Sequence, residues 1–279
     1  MKVIKKPASL TKELLKIKKR RTIGLVPTMG CLHSGHLKLV KTARQKADVI
    51  VVSLFVNPTQ FGKNEDFGRY PRDEKGDLAK LKNAGVDYVF MPSPSDMYPQ
   101  DFQTEVNVRN VSRGLCGDSR PGHFKGVATV VLKLFNIVQP DVAIFGRKDY
   151  QQLQVIRTMV RDLNLPIKVV GVETVREKDG LALSSRNAYL APSDRELALG
   201  LSRGLKAAKL ALRRGTKSAD ELKGIFKAKL LVNERMVLDY VECVGAETLE
   251  PESICRPKKT LMATAVFVGN TRLIDNMVL

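Results

Sequence analysis

The stretch Asp48–Val56, DVIVVSLFV, is a continuous apolar, β-branched run. A strand with one wetted face alternates apolar and polar side chains, so a strand without alternation is buried on both faces. Burial on both faces needs a covering layer above and below, and the usual solution is a parallel sheet flanked by helices. The neighbouring sequence supplies the rest of such a sheet. Thr22–Val26 is a shorter apolar run, and Val86–Met91, DVAIFG and IKVVGVETV read as further strands. Helical periodicities lie between them. Leu10, Leu14 and Ile17 stripe a first surface helix, a helical pattern runs through Leu37 and Val40, and DLAKLKNAG reads as a short helix closed by Gly85. Val127, Val130, Val131, Leu134 and Val138 stripe a helix ended by Gln139-Pro140, and Leu153, Ile156, Val160 and Leu163 stripe another. Strand–helix alternation with right-handed crossovers predicts an α/β fold: a Rossmann-like parallel sheet with helices on both faces.

After about Val175 the pattern changes. Two lysine-rich helices are predicted over 193–213 and 218–231, followed by the strand-like segments VLDYVECVG, TLMATAVFVG and TRLIDNMVL. Helices followed by meandering strands predict a smaller C-terminal α+β domain. The polar join VREKDGLALSSRNAYLAPSD places the hinge, giving domains 1–175 and 176–279.

Composition narrows the function. The net charge is +18, with lysine spread along the chain and clustered at Lys16–Arg21 and Lys206–Lys217. Such an excess favours anionic partners, nucleotides or nucleic acid, although both clusters fall on predicted helices whose outer faces a lysine-rich solvated surface would also explain. No zinc finger, RNP motif or KH loop is present. Cys31, Cys116, Cys243 and Cys255 form no CxxC pair and no zinc spacing, and read as reduced thiols. No window is apolar enough for a membrane span, and the N-terminus lacks the apolar stretch of a secretory signal; the expected location is cytoplasmic.

The chemistry starts at PTMGCLHSGH, Pro27–His36, straight after the first apolar run. In an open α/β sheet, ligands bind beyond the carboxyl ends of the strands. Gly30 and Gly35 let the backbone turn tightly and approach a ligand. The helix that follows offers unpaired N–H groups and a positive dipole end, which suit an anion. His33 and His36 are one helical turn apart and can face one ligand. A metal site would need a third ligand, with His123 the only remaining histidine and no HExxH spacing. Two incidental loop histidines are the other alternative.

HSGH resembles the HxGH signature of the nucleotidylyltransferase superfamily, which includes the class I aminoacyl-tRNA synthetases. The flanks narrow it. PTMGCLHSGH, FVNPTQF, YPRD, RPGHFKGVATVV, GRKDYQQL and DGLALSSRNAYL occur in the order and spacing of the pantoate–β-alanine ligase family, and the resemblance spans nearly the whole chain. It implies ATP-dependent ligation of pantoate and β-alanine to pantothenate through pantoyl adenylate, releasing AMP and pyrophosphate. It also implies magnesium and a homodimer; the substrates are small molecules, with no nucleic acid or membrane partner expected. Two rival activities frame this. Another nucleotidylyltransferase would share the histidine loop but leaves Gln60 and Gln152 unexplained. A nucleic-acid-binding protein would show polymer affinity falling steeply with salt.

By the same resemblance, Pro27, Thr28, Met29 and Gly30 line the ATP site, His33 and His36 contact its phosphates, and His36 is the catalytic histidine. Gln60 contacts pantoate and β-alanine, and Gln152 pantoate. Lys148 is the phosphate cation; Gly146 and Asp149 approach the ribose, and Val175 the adenine. Leu183, Ser184, Ser185 and Arg186 are similar to the KMSKS loop that closes over the triphosphate, with Leu183 where relatives often carry methionine. Asp77 aligns with one of two magnesium-binding acids, and Gly76 stands in place of the other. Tyr70 is expected over the substrate pocket. His123 and Lys125 stay outside the catalytic set, and Cys31 reads as a small filler.

Overall fold

The computed structural model describes residues 1–62, 65–230 and 234–279. Contacts divide the chain into two compact units. The first comprises Met1–Ser112, Arg120–Arg147 and Gln152–Glu173; the second comprises Arg113–Ser119, Lys148–Gln151 and Thr174–Leu279. Two short segments inside the range 1–175 thus group with the C-terminal residues.

The first unit is built on six parallel strands: β1 (Lys2–Ile4), β2 (Ile23–Thr28), β3 (Val49–Leu54), β4 (Tyr88–Phe90), β5 (Val142–Gly146) and β6 (Lys168–Val172). They lie in the order β1-β4-β3-β2-β5-β6. Its helices are α1 (Pro7–Lys18), α2 (Ser34–Arg44), α3 (Glu74–Asn83), the single turn α4 (Pro94–Met97), and, beyond the single turn α5 (Cys116–Ser119) of the second unit, α6 (His123–Val138) and most of α7 (Tyr150–Asp162). The central strand is buried at every position, as its lack of alternation requires. Ile50, Val52, Val142 and Ile144 share one core cluster with Val40 and Ala43 of α2 and Leu81 of α3. The alternating residues Val49, Val51 and Ala143 are buried toward the other face, where α1 packs against α6 and α6 meets β2. Full burial of such a side chain contributes about 2 kcal/mol. The α3 helix ends as its glycine predicts: Gly85 has φ +72°, and the amides of Gly85 and Val86 donate to Lys82 and Leu81 carbonyls in a Schellman-type cap.

The second unit pairs β7 (Met236–Gly245), β8 (Thr260–Val268) and β9 (Thr271–Val278) as an antiparallel sheet. Its helices α8 (Pro192–Arg213) and α9 (Ala219–Lys227) share a core with it that includes Leu201, Leu205, Phe226, Met262 and Val266. The second helix is shorter than the predicted 218–231, and residue 231 lies outside the described residues. A bulge between Leu238 and Tyr240 takes Asp239 out of the pairing. Arg272 then donates to Asp239 from Nε at 3.0 Å and Nη2 at 2.7 Å.

Candidate active site

The strand order reverses beside β2. From β2 the chain moves to β3 and β4 on one side, then returns to place β5 and β6 on the other. Ligand crevices of open α/β sheets form at such switch points. The register shows the crevice opening. The β2–β3 pairing runs to Thr28–Leu54, whereas β2 and β5 pair only at Gly24–Val142 and Leu25–Ala143. Pro27 fits this parting. The Thr28 carbonyl accepts from the Phe55 amide, so Thr28 faces β3. One residue earlier, the donor that Pro27 lacks would face the β5 side, where pairing has already ended, and no ladder bond is lost.

The histidine loop leaves the end of β2. Thr28 Oγ1 donates to the Ser53 carbonyl at 2.7 Å and accepts from the Gly30 amide at 3.3 Å. Gly30 and Cys31 both take left-handed backbone, φ +86° and +50°. His33 then caps α2. Its Nδ1 accepts from the Gly35 amide at 3.1 Å, and His36 Nδ1 accepts from the His33 amide at 3.3 Å. An Nδ1 that accepts carries no proton, so each neutral ring bears its N–H on Nε2. The two rings lie with centroids 4.1 Å apart. The first turn of α2 contains no acidic residue, so no side chain of that turn neutralises its dipole, which suits an external anion.

Asp77, expected at a metal from the resemblance, faces the histidine loop. It is buried in the first turn of α3, and its Oδ2 and Oδ1 accept from the backbone amides of Cys31 and Leu32, each at 2.7 Å. Among the described residues no group of three or more His, Cys, Asp or Glu side chains could hold a metal ion.

Gln60 ends a 3-10 turn after β3 and is buried. Its amide is oriented by Asn57, a residue that sequence reasoning does not single out. Tyr98 Oη donates to Asn57 Oδ1 at 2.8 Å, and Asn57 Nδ2 donates to Gln60 Oε1 at 3.2 Å. With its oxygen so engaged, Gln60 presents Nε2, which lies 3.0 Å from Met29 Sδ. Asn57 stands before Pro58, an Asn-Pro turn signal, which is the one trace of this role in the sequence. The Gln60 carbonyl is bracketed as well. It accepts from His123 Nδ1 at 2.8 Å and from Arg120 Nη2 at 3.2 Å. His123 Nε2, 3.2 Å from Arg120 Nη1, then serves as an acceptor. Arg120 Nε also donates to Glu65 at 2.7 Å. Burial alone would raise the Glu65 carboxyl, but the hydrogen bond and charge of Arg120 outweigh it and hold it below the ordinary value. His123 therefore buttresses a loop. Tyr70 is buried with its ring edge-on to Phe61, centroids 5.8 Å apart. Gly146 ends β5, beside the switch point, and Gln152 lies half-buried on α7.

The remaining predicted residues belong to the second unit. Lys148 is half-buried and Asp149 exposed in a 3-10 turn, and the Lys148 carbonyl accepts from Asn276 Nδ2 at 2.7 Å. The Val175 carbonyl accepts from the Leu183 amide at 3.0 Å. Ser184 caps the short turn Ser185–Tyr189, its Oγ accepting from the Arg186 amide at 3.3 Å. Asn187 ties this turn down, donating to Glu177 at 3.1 Å and to the Ala182 carbonyl at 3.0 Å.

The whole chain matches one family. The family model for pantoate-beta-alanine ligase covers residues 2–278. The chain belongs to the pantoate–β-alanine ligase family. It is thus a ligase that forms a carbon–nitrogen bond. A pantothenate synthetase of Sulfurihydrogenibium sp. is 51% identical, with 99% of each chain covered. The crystal structure of pantothenate synthetase from Thermus thermophilus superposes with a TM-score of 0.94 at 46% identity, covering 100% of this chain and 99% of that one. The pantoate–β-alanine ligase of Francisella tularensis, solved with β,γ-ATP and β-alanine, gives 0.82 at 33% identity over 100% and 97%. The ligase family therefore carries both the parallel-sheet unit and the small antiparallel one.

Proposed function

We propose that this ligase activates pantoate with ATP and passes the acyl group to β-alanine. The observation that carries the reading is the capped histidine pair at the switch point, within a chain of this family. In the first half-reaction a pantoate carboxylate oxygen attacks the α-phosphorus and the bond to pyrophosphate breaks. In the second, the β-alanine amine attacks the acyl carbon, AMP leaves, and the nitrogen loses its proton. The physical obstacle is an anion approaching a polyanion, so the protein contributes positioning and neutralisation.

His33 and His36 offer Nε2–H donors beside the α2 N-terminus, where negative charge grows on the α-phosphate and the leaving pyrophosphate. His36 is the group assigned to that charge, with Pro27, Thr28, Met29 and Gly30 lining the nucleotide. Gln60, its oxygen held by Asn57 and its Nε2 donating to Met29 Sδ, offers an amide for the carboxylate and hydroxyls of pantoate, with Gln152 a second contact. Lys148 and Arg186 are assigned to phosphate, Ser184 and Ser185 to its oxygens, Leu183 to the closing loop, Gly146 and Asp149 to the ribose and Val175 to the adenine, all through the family resemblance. Tyr70 is assigned to the wall of the substrate pocket. The division into 1–175 and 176–279 rests on the polar join in the sequence, and a cytoplasmic location on the reduced cysteines and the lack of a signal stretch; a closing second part, a homodimer and a requirement for magnesium rest on the family resemblance. Among the described residues no cluster of His, Cys, Asp or Glu side chains fits a protein-held metal, and both oxygens of Asp77 accept from backbone amides. Among the described residues no helix is long and apolar enough to cross a membrane.

The test is ATP–pyrophosphate exchange with pantoate present and β-alanine absent. Exchange that depends on pantoate is expected, and adding β-alanine should then release AMP in step with pantothenate. A folded sample that binds ATP but exchanges nothing overturns the substrate assignment.

A further inference from the structure

We propose that Asp77 is a positioning residue that clamps the histidine loop by its backbone, and that it is not a metal ligand. The proposal rests on the reading of the His33–His36 loop as the phosphate-binding loop. Its geometry is independent of that reading. Two successive amides, Cys31 and Leu32, donate to the two oxygens of one carboxylate, both at 2.7 Å. Successive amides of an extended chain alternate in direction; Gly30 at φ +86° and Cys31 at φ +50° turn the backbone here so that both point at one carboxylate. A carboxylate accepting two amides forms charge-assisted bonds, shorter and stronger than neutral ones. The clamp ends at Leu32, and the next residue, His33, caps α2 and carries the paired ring. Fixing Leu32 therefore fixes where both imidazoles begin.

Three further observations argue against a cation at Asp77. The Lys80 ammonium stands 3.8 Å from Oδ1 and 3.6 Å from Asp73, so a positive charge already faces this carboxylate. Asp77 is 2% exposed, which leaves no room for the waters that magnesium keeps. The neighbouring position, Gly76, supplies no second acid. Asp73 accepts from the Gly76 amide at 3.0 Å, and a Cβ at 76 would overlap the Asp73 carboxylate. Magnesium would then arrive on the phosphates of the nucleotide, its common mode of binding.

Asp77→Asn tests this, because the amide nitrogen that replaces one oxygen cannot accept from a backbone N–H. The expected result is a fall of about 100-fold in pantoate-dependent ATP–pyrophosphate exchange, the cost of a misplaced catalytic group. The magnesium concentration giving half-maximal rate should stay where it is in the unaltered protein. A half-maximal concentration raised about 10- to 100-fold, the usual effect of weakening a metal site, with the rate restored by excess magnesium, would overturn the proposal. A second measurement needs no variant. In the unaltered, nucleotide-free protein, magnesium alone should leave the Cys31 and Leu32 amide resonances in place; a saturable shift there overturns the clamp even if Asp77→Asn fails to fold. If the unaltered protein shows no pantoate-dependent exchange, the substrate reading fails while the amide titration still decides the role of Asp77.

Discussion

In the first unit the loop from Met29 to His36 is held through its backbone. Asp77 takes two of its amides, Thr28 a third, and the two histidines cap the helix they begin. In the second unit the segment from Val175 to Asn187 is held mainly through side chains. Arg176 donates to Asp275 at 2.6 Å and 2.9 Å, Arg195 to Glu177 at 2.8 Å and also to Asp179, and Asn187 to Glu177. The contrast follows from where each loop starts. The first leaves a buried parallel strand, where neighbouring backbone is close and water is excluded. The second joins polar segments, and long cationic side chains supply what a sheet does not. A backbone clamp gives a rigid loop insensitive to salt; a mesh of ion pairs gives one that responds to salt and acid.

The largest effect should come from breaking the most buried member of the mesh. Asp275 has 2% of its side chain exposed against 20% for Arg176. Arg176→Met takes the guanidinium away from that carboxylate and leaves the Asn276 amide, 2.8 Å away, in a place that water barely reaches. Removing one partner of a buried pair costs about 3 kcal/mol. Chemical denaturation should show a loss of that order. A loss under about 0.5 kcal/mol, the range of ordinary surface substitutions, would mean that the pair does not hold the segment.

The matching test in the first unit is steric. A Cβ on Gly126 would overlap the Thr59 carbonyl, with the Gln60 amide nitrogen 2.8 Å away. Gly126→Ala should therefore push α6 off the Gln60 turn at about 2 kcal/mol and lower turnover, because Gln60 moves with its turn. The destabilisation should be the same in low and high salt. A strong salt dependence would break the contrast between the units.

How much of this is legible in the sequence follows from the range of each interaction. The strand Val49–Leu54 and the helix Pro192–Arg213 can be read because their signals are periodic and local. The strand Lys2–Ile4 cannot: three residues carry no period, and its partner is Tyr88–Phe90, far along the chain. The segment Cys116–Ser119 escapes for a similar reason, since its first amide is satisfied by Gln151 at 3.0 Å and nothing local announces a helix. At the site, the histidine loop is readable because its glycines, cap and following helix are contiguous. The structural work of Asp77 is not, because its partners are backbone amides 45 and 46 residues away and backbone amides leave no mark in a sequence. His123 shows the same limit: its partner is the Gln60 carbonyl, 63 residues away.

The smallest effect sharpens the comparison most, because it has a sign. The Leu181 amide, then the Arg195 guanidinium, hold the Asp179 carboxyl below its ordinary value. A depressed carboxyl stabilises the folded state fully above its unfolded pKa, near 3.9, and loses that contribution as pH falls through the folded value. Asp179 keeps 33% of its side chain exposed and Arg195 34%, so solvent screens the pair and its worth is at most about 1 kcal/mol. Asp179→Asn keeps an oxygen for the Leu181 amide and removes the charge. The stability difference between the two proteins should be flat from pH 7 to about 5, shrink below about 4, and fall in 1 M salt, where the screening length is about 3 Å. No difference between the two proteins at any pH or salt concentration would show that Asp179 acts through the Leu181 amide alone, and the second loop would then be clamped by its backbone at this point, as the first is at Asp77.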